Sequence, residues 1–290
     1  MSEPKPTVRR KEGHFSNREG LKLYYQVWSA TQAPAQGDAF TLVVTHGLGE
    51  HSDPYCRLGE AMAMAGHDVL AWDLRGHGRS DGKRAVIRSF NDYTNDLQDV
   101  ITAALERGKP VVVVGHSMGG LITCKYLIDN PTNKLAGFVL SSPLVGIAVE
   151  IPRLKEAAGR WLGKFFPELT LFNEIKFTDL THDRAVIADF EIDTLRHDRV
   201  STRLYLEILS ALDYVPARAS KITLPALVQQ AGADRVVSRP RTEEFFSHLG
   251  SEDKTLHIYE SFCHEIYNET ERARPFADLT KWLALREKSK

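Results

Sequence analysis

The chain has 290 residues, 42% of them apolar and 26% charged, with a formal net charge of −1. That balance suits a protein able to bury a sizeable core, and it excludes a basic nucleic-acid binder. No stretch approaches the ~18 apolar residues of a membrane span, residues 1–6 lack an apolar leader segment, and Cys56, Cys124 and Cys263 follow neither disulfide nor metal-ligand spacing. The expected location is therefore cytoplasmic.

Residues 1–11 are polar and broken by Pro4 and Pro6, which predicts loose chain. Residues 13–16 and 21–28 flank Asn17-Arg18-Glu19-Gly20 and read as an antiparallel hairpin, with Gly20 able to take φ > 0 in the turn. Residues 41–45 are a short buried strand running into His46-Gly47-Leu48-Gly49-Glu50-His51. A helix over 57–65 and a strand over 68–72 lead to the glycine-punctuated loop 73–80. A helix over 92–107 precedes four consecutive valines, 111–114, which enter Gly115-His116-Ser117-Met118-Gly119-Gly120. Apolar residues at helical spacing follow until Asn130-Pro131, and 137–140 is the next strand.

Short β-branched strands alternating with helices imply βαβ units and a mostly parallel sheet with helices on both faces. No GxGxxG follows the first parallel strand, which argues against a dinucleotide fold. The rhythm breaks after residue 140. Roughly 80 residues separate it from the next convincing strand, at 224–229, where a crossover of about 20–30 would suffice. The intervening chain has helical patterns over 152–166 and 202–212 and many large apolar groups, among them Trp161, Phe165, Phe166 and Phe172. It reads as a helical cap, its apolar groups packing the cap itself or facing a cleft. The core resumes with a helix over 239–249, a strand over 255–259 and a terminal helix over 270–285. The division is thus a core of residues 1–144 and 223–290 with a cap of 145–222.

A strand, a glycine, a serine and then an amphipathic helix is the context of a nucleophile elbow. Ser117 on so sharp a turn needs glycine on both sides, because a Cβ there would collide with neighbouring chain. A serine nucleophile also needs a base, and a carboxylate to hold that base in the right tautomer. Two loops at strand ends fit, in the order Ser, Asp, His. The first, Ala231-Gly232-Ala233-Asp234, places Asp234 in a tight turn, and the second, Glu260-Ser261-Phe262-Cys263-His264, places His264 just past the sheet edge. His46 and His116 sit beside glycines at strand ends and read as structural, while His182, His197 and His257 lack a matching context. The N–H groups of Met118 and Leu48 are the expected oxyanion donors.

With these residues in view, the chain resembles an α/β-hydrolase, and more narrowly the monoacylglycerol lipase and lysophospholipase family, related to serine aminopeptidases of the S33 type. The matching stretches run nearly end to end: residues 46–52, 73–80, 115–120, 141–143, 233–237 and 264–269. The resemblance implies Ser117 as nucleophile, Asp234 as orienter, His264 as base, Leu48 and Met118 as the oxyanion hole, and no metal or cofactor. It also implies a cap that admits a lipid chain, with contact to a membrane surface through that cap.

Two departures bear on the substrate. Where monoacylglycerol lipases carry an arginine associated with the glycerol head group, this chain has Pro54, which leaves Glu50 as the candidate polar contact. The small residues usual before the histidine are replaced by Ser261-Phe262-Cys263, and Cys263 reads as inert packing or as a site of thiol modification. The expected activity is hydrolysis of a single-chain acyl ester, monoacylglycerol or lysophospholipid. A short-chain carboxylesterase or aminopeptidase with the same triad is the nearer alternative. A non-catalytic ligand receptor on the same fold is the more distant one.

Overall fold

The computed structural model describes residues 7–31, 39–132, 134–148, 163 and 165–287. Its strands are β1 (Val8–Ser16), β2 (Lys22–Ala30), β3 (Thr41–Thr45), β4 (Asp68–Trp72), β5 (Val111–His116), β6 (Leu135–Ser141), β7 (Thr170–Phe172), β8 (Arg199–Ser201), β9 (Ala226–Ala231) and β10 (Lys254–Tyr259). Eight of them form one sheet in the order β1-β2-β4-β3-β5-β6-β9-β10. β1 and β2 are antiparallel, β2 meets β4 antiparallel, and every later pair is parallel.

The inner parallel strands β3, β4, β5 and β6 are buried almost throughout and rich in apolar residues because both faces are covered, whereas the edge strand β10 is only half-buried. In β5, Val111 and Val113 point into one core cluster and Val112 and Val114 into the other, as the period-2 pleat requires. Helices α2 (Asn91–Leu105) and α3 (Met118–Asp129) cover the first face through residues such as Leu97, Val100, Leu121 and Ile122. Helix α1 (Cys56–Met64) covers the second with Leu58 and Met62. The inserted segment between β6 and β9 adds α4 (Arg184–Ile192) and α5 (Thr202–Tyr214), the latter packing Leu204, Ile208 and Ala211 onto the first face. After β9 come α6 (Arg239–His248) and, past β10, α7 (Ala273–Glu287), whose Leu279, Trp282 and Leu283 complete the second face.

Three differences from the sequence reading have physical causes. The N-terminal strand begins at Val8, so residues 8–11 are not loose; the consecutive, exposed Arg9, Arg10 and Lys11 lie on the sheet edge, where charge blocks further pairing. The inserted segment is not purely helical, since β7 and β8 pair antiparallel within it. At three residues each, they are too short for periodicity to register. The terminal helix starts at Ala273, because a 3-10 turn at Ile266–Asn268 and the turn after it precede it. The helix expected over 152–166 falls mostly outside the described residues.

Candidate active site

The turn between β5 and α3 holds Ser117 at φ 52° and ψ −120°, a region that costs an L-residue of order 1–3 kcal/mol. The surroundings enforce it. The Ser117 carbonyl accepts from the N–H groups of Gly120 (2.9 Å), Leu121 (3.2 Å) and Leu144 (2.9 Å), and its own N–H donates to Ser141 O (3.1 Å). A Cβ on Gly119 would lie 2.1 Å from Thr45 O, so only glycine lets α3 approach the end of β3. On the other side, a Cβ on Gly47 would sit 3.0 Å from Ser117 Cβ, which places the loop after β3 directly against the serine. Leu48 of that loop lines the same cavity as Ser117. Met118 opens α3, so its N–H is one of the first-turn donors without an intrahelical acceptor.

His264, in the loop after β10, and Asp234, in the loop after β9, meet across the sheet edge. His264 Nδ1 lies 2.8 Å from Asp234 Oδ2, with the two side chains 4% and 0% exposed. Asp234 is held rigidly: Oδ1 accepts from the N–H groups of Val236 (2.8 Å) and Val237 (2.9 Å), and Oδ2 also from Gln230 Nε2 (3.3 Å). Burial works against its ionisation, but the facing imidazole and these donors outweigh that and keep the carboxyl below its ordinary range. For His264 burial pulls the pKa down; Asp234, with further help from Glu265 and Glu50, more than restores it, so the imidazole binds its proton more tightly than a free histidine.

Ser117, His264 and Leu48 share the wall of a cavity of about 490 Å³, roofed by the inserted segment through Ile175, Phe177, Leu180 and Phe190. The rest of its wall is polar and includes Glu50, Glu265 and Arg196. Arg196 comes from the cap, and its side chain is only 7% exposed. Its Nη2 donates to Glu265 Oε1 (3.0 Å) and Oε2 (3.3 Å) and lies 3.8 Å from Glu50 Oε2, and its guanidinium stacks on Phe190 at 3.5 Å. Glu50 is anchored through Oε1, which accepts from Gly47 N and from Tyr55 Oη (3.0 Å). Burial, then the Glu265 charge, push Glu50 upward; for Glu265 the buried guanidinium and other donors outweigh burial and hold it down. Within this group one donor and one acceptor are left over. Arg196 Nε and Glu50 Oε2 are both buried without a hydrogen-bond partner, and His197 Nε2 in the same wall is a third such atom, a state that demands explanation at a cavity wall.

The other histidines divide. His46 is buried and neutral, its pKa lowered to about 3 chiefly by desolvation; Nδ1 meets Gly47 O (2.7 Å) while Nε2 accepts from Leu74 N (2.9 Å), tying two loops together. His116 is likewise lowered to about 3, by burial first and the neighbouring His264 second, and bonds Ser141. His197, which had no strand-end context, lies in the cavity wall, and its N–H donates to Gly49 O (2.9 Å). His51 Nε2, 2.6 Å from Asp193 Oδ2, adds a second tie between the loop after β3 and the inserted segment. Cys263 is buried beside His264, with its thiol pushed up to about 11 by burial and the Glu269 carboxylate, which disfavours the thiolate that modification chemistry needs. Sequence reasoning missed Arg196 altogether. It is one basic residue in an unpatterned stretch, 69 residues from its partner Glu265, and no motif marks it.

Residues 38–271 match the family model described as serine aminopeptidase, S33. The chain is 31% identical over 284 residues to the monoglyceride lipase of Homo sapiens, covering 94% of this chain and 90% of that one. It is 31% identical over 245 residues to phospholipase YtpA of Bacillus subtilis, covering 82% and 94%. The crystal structure of Paleococcus ferrophilus monoacylglycerol lipase superposes with a TM-score of 0.79 at 27% identity, covering 97% and 99%. The fold thus matches that solved structure over nearly its whole length, and the chain belongs to the monoacylglycerol lipase and lysophospholipase family of α/β-hydrolases, as a carboxylic ester hydrolase.

Proposed function

We propose that this hydrolase cleaves monoacylglycerol-type esters through an acyl-enzyme on Ser117. His264 takes the Ser117 proton as the hydroxyl attacks the ester carbonyl and returns it to the departing alcohol; water then repeats the sequence on the acyl-enzyme. Asp234 holds the imidazole with Nδ1–H toward itself and Nε2 free for this exchange. The N–H groups of Leu48 and Met118 receive the developing oxyanion, a contribution of about 2.7–4 kcal/mol for each donor. Residues 145–222 act as the cap and supply the apolar wall for the acyl chain, against a core of 1–144 and 223–290.

The observation that carries the choice of head group is the pair of unpartnered atoms, Arg196 Nε and Glu50 Oε2. A hydroxyl donates one hydrogen bond and accepts another, the complement of this donor and acceptor; both atoms are closed to solvent, so a glycerol hydroxyl meets them only after the two side chains shift. Phosphate offers acceptors only, and it would enter a group of two carboxylates and one guanidinium. Of the two ester classes, this favours the neutral polyol over the lysophospholipid. The cap also carries six of the eight large exposed hydrophobic side chains among the described residues: Phe165, Phe166, Leu169, Leu171, Phe172 and Ile192. A patch of that kind suits contact with a lipid surface that holds the substrate.

The test compares esters of one acyl chain that differ only in head group. Faster hydrolysis of the monoacylglycerol than of the lysophospholipid is expected, and the reverse order would overturn the head-group assignment. An aminoacyl amide cleaved in preference to either would overturn the esterase reading and favour the peptidase.

A further inference from the structure

Three side chains meet where the inserted segment closes on the loop that carries His264. His182, from the cap, places Nε2 3.7 Å from Cys263 Sγ and Nδ1 2.8 Å from Glu269 Oε1. Glu269 is buried and also accepts from Cys263 N (2.8 Å) and His182 N (3.2 Å), so its position is set from both sides. Among the described residues this is the one group of three His, Cys, Asp or Glu ligand atoms close enough to share a cation. We propose that Cys263 Sγ and His182 Nε2 bind one soft divalent cation of the zinc class, and that occupation inhibits the enzyme through the adjacent His264.

The geometry is close to what such an ion requires. With Zn–S near 2.3 Å and Zn–N near 2.05 Å at a tetrahedral angle, sulfur and nitrogen stand about 3.6 Å apart, close to the spacing already present. Glu269 accepts a hydrogen bond from Nδ1–H in the tautomer that leaves the Nε2 lone pair facing the sulfur, the outer support that metal-bound imidazoles usually have. The His182 side chain is 58% exposed, so a cation reaches the pair from solvent and water completes its coordination. Binding replaces the thiol proton by the metal and releases that proton to solvent, with no change of oxidation state.

Inhibition follows from charge. A divalent ion on one thiolate adds a net positive charge beside the residue that must become imidazolium during turnover. Asp234 and Asp179, with Arg235 on the other side, are the remaining charges facing this pair besides Glu269. At an effective dielectric of about 20, one added charge within about 10 Å slows proton uptake at His264 by about tenfold.

The site is tested on chelator-stripped full-length protein in two arms. Cadmium chloride is titrated against the Ser117→Ala variant while the ultraviolet thiolate-to-cadmium charge-transfer band is recorded, a readout that does not depend on the hydrolase reading. Zinc chloride is titrated against ester hydrolysis by the active enzyme, where inhibition does rest on that reading. The band should saturate at one equivalent, and zinc should slow turnover about tenfold with recovery on adding chelator. Cys263→Ala and His182→Gln, the second on an exposed side chain, should each lose both effects while keeping metal-free activity. Absence of the band, or a band or inhibition that survives in His182→Gln, would overturn the proposal.

Discussion

The rim of the core and the cap face each other across one cavity but are specified in different ways. On the core side, Ser117, Asp234 and His264 each sit in the loop after a strand of the main sheet, held by local backbone bonds and by the contact between Asp234 and His264. On the cap side, Arg196 and His197 have no such scaffold, and they reach the site because Glu265 and Gly49 receive them. A Cβ on Gly49 would lie 2.2 Å from His197 O, so even this docking depends on a bare glycine at φ 76°. The difference separates two properties. On the proposed reading, chemistry is set where the backbone is rigid and local, and selectivity where side chains from distant segments meet.

Damage to the core rim should therefore remove turnover for every ester. Ser117→Ala or His264→Ala is expected to lower kcat by up to about 10⁶-fold, and Asp234→Asn by about 10⁴-fold, with the fold intact by circular dichroism. Residual rates near the parent value would show that the chemistry lies elsewhere. Damage to the cap side should be selective. Arg196→Met removes the unpartnered donor and leaves Glu50 and Glu265 uncompensated, and should reduce kcat/KM for a monoacylglycerol by roughly 10–100-fold. A small p-nitrophenyl ester without head-group hydroxyls should lose much less. Equal losses on both substrates would erase the distinction between the two regions.

A smaller effect is expected from pH. His264 must be unprotonated to act as base, and its pKa is raised, so kcat/KM should climb with pH through a midpoint above 6.5. The same shift has a stability consequence of the opposite sense. The Asp234–His264 contact contributes fully below the unfolded histidine pKa, and part of that contribution is lost as pH rises through the higher folded value. A midpoint below 6.5 in Asp234-intact enzyme would contradict the cause given for the shift.

What could be read from the sequence follows the same division. The valines before Gly115, the glycines around Ser117 and the strand-end positions of Asp234 and His264 are local patterns, and local patterns survive in one dimension. The register of the first strand did not show, because Arg9, Arg10 and Lys11 look like a solvated tail until β2 is present to pair with them. Arg196 beside Glu265, and His182 beside Cys263 and Glu269, join residues 69 to 87 positions apart, and no spacing rule connects them.

The most direct measurement is intact-protein and peptide mass spectrometry after treatment with a fluorophosphonate carrying a long alkyl chain. The structure predicts one adduct, on the peptide containing Ser117, formed faster as pH rises and blocked by a competing monoacylglycerol. An adduct that persists in Ser117→Ala, or a wild-type protein that takes up none, would contradict the account at its centre.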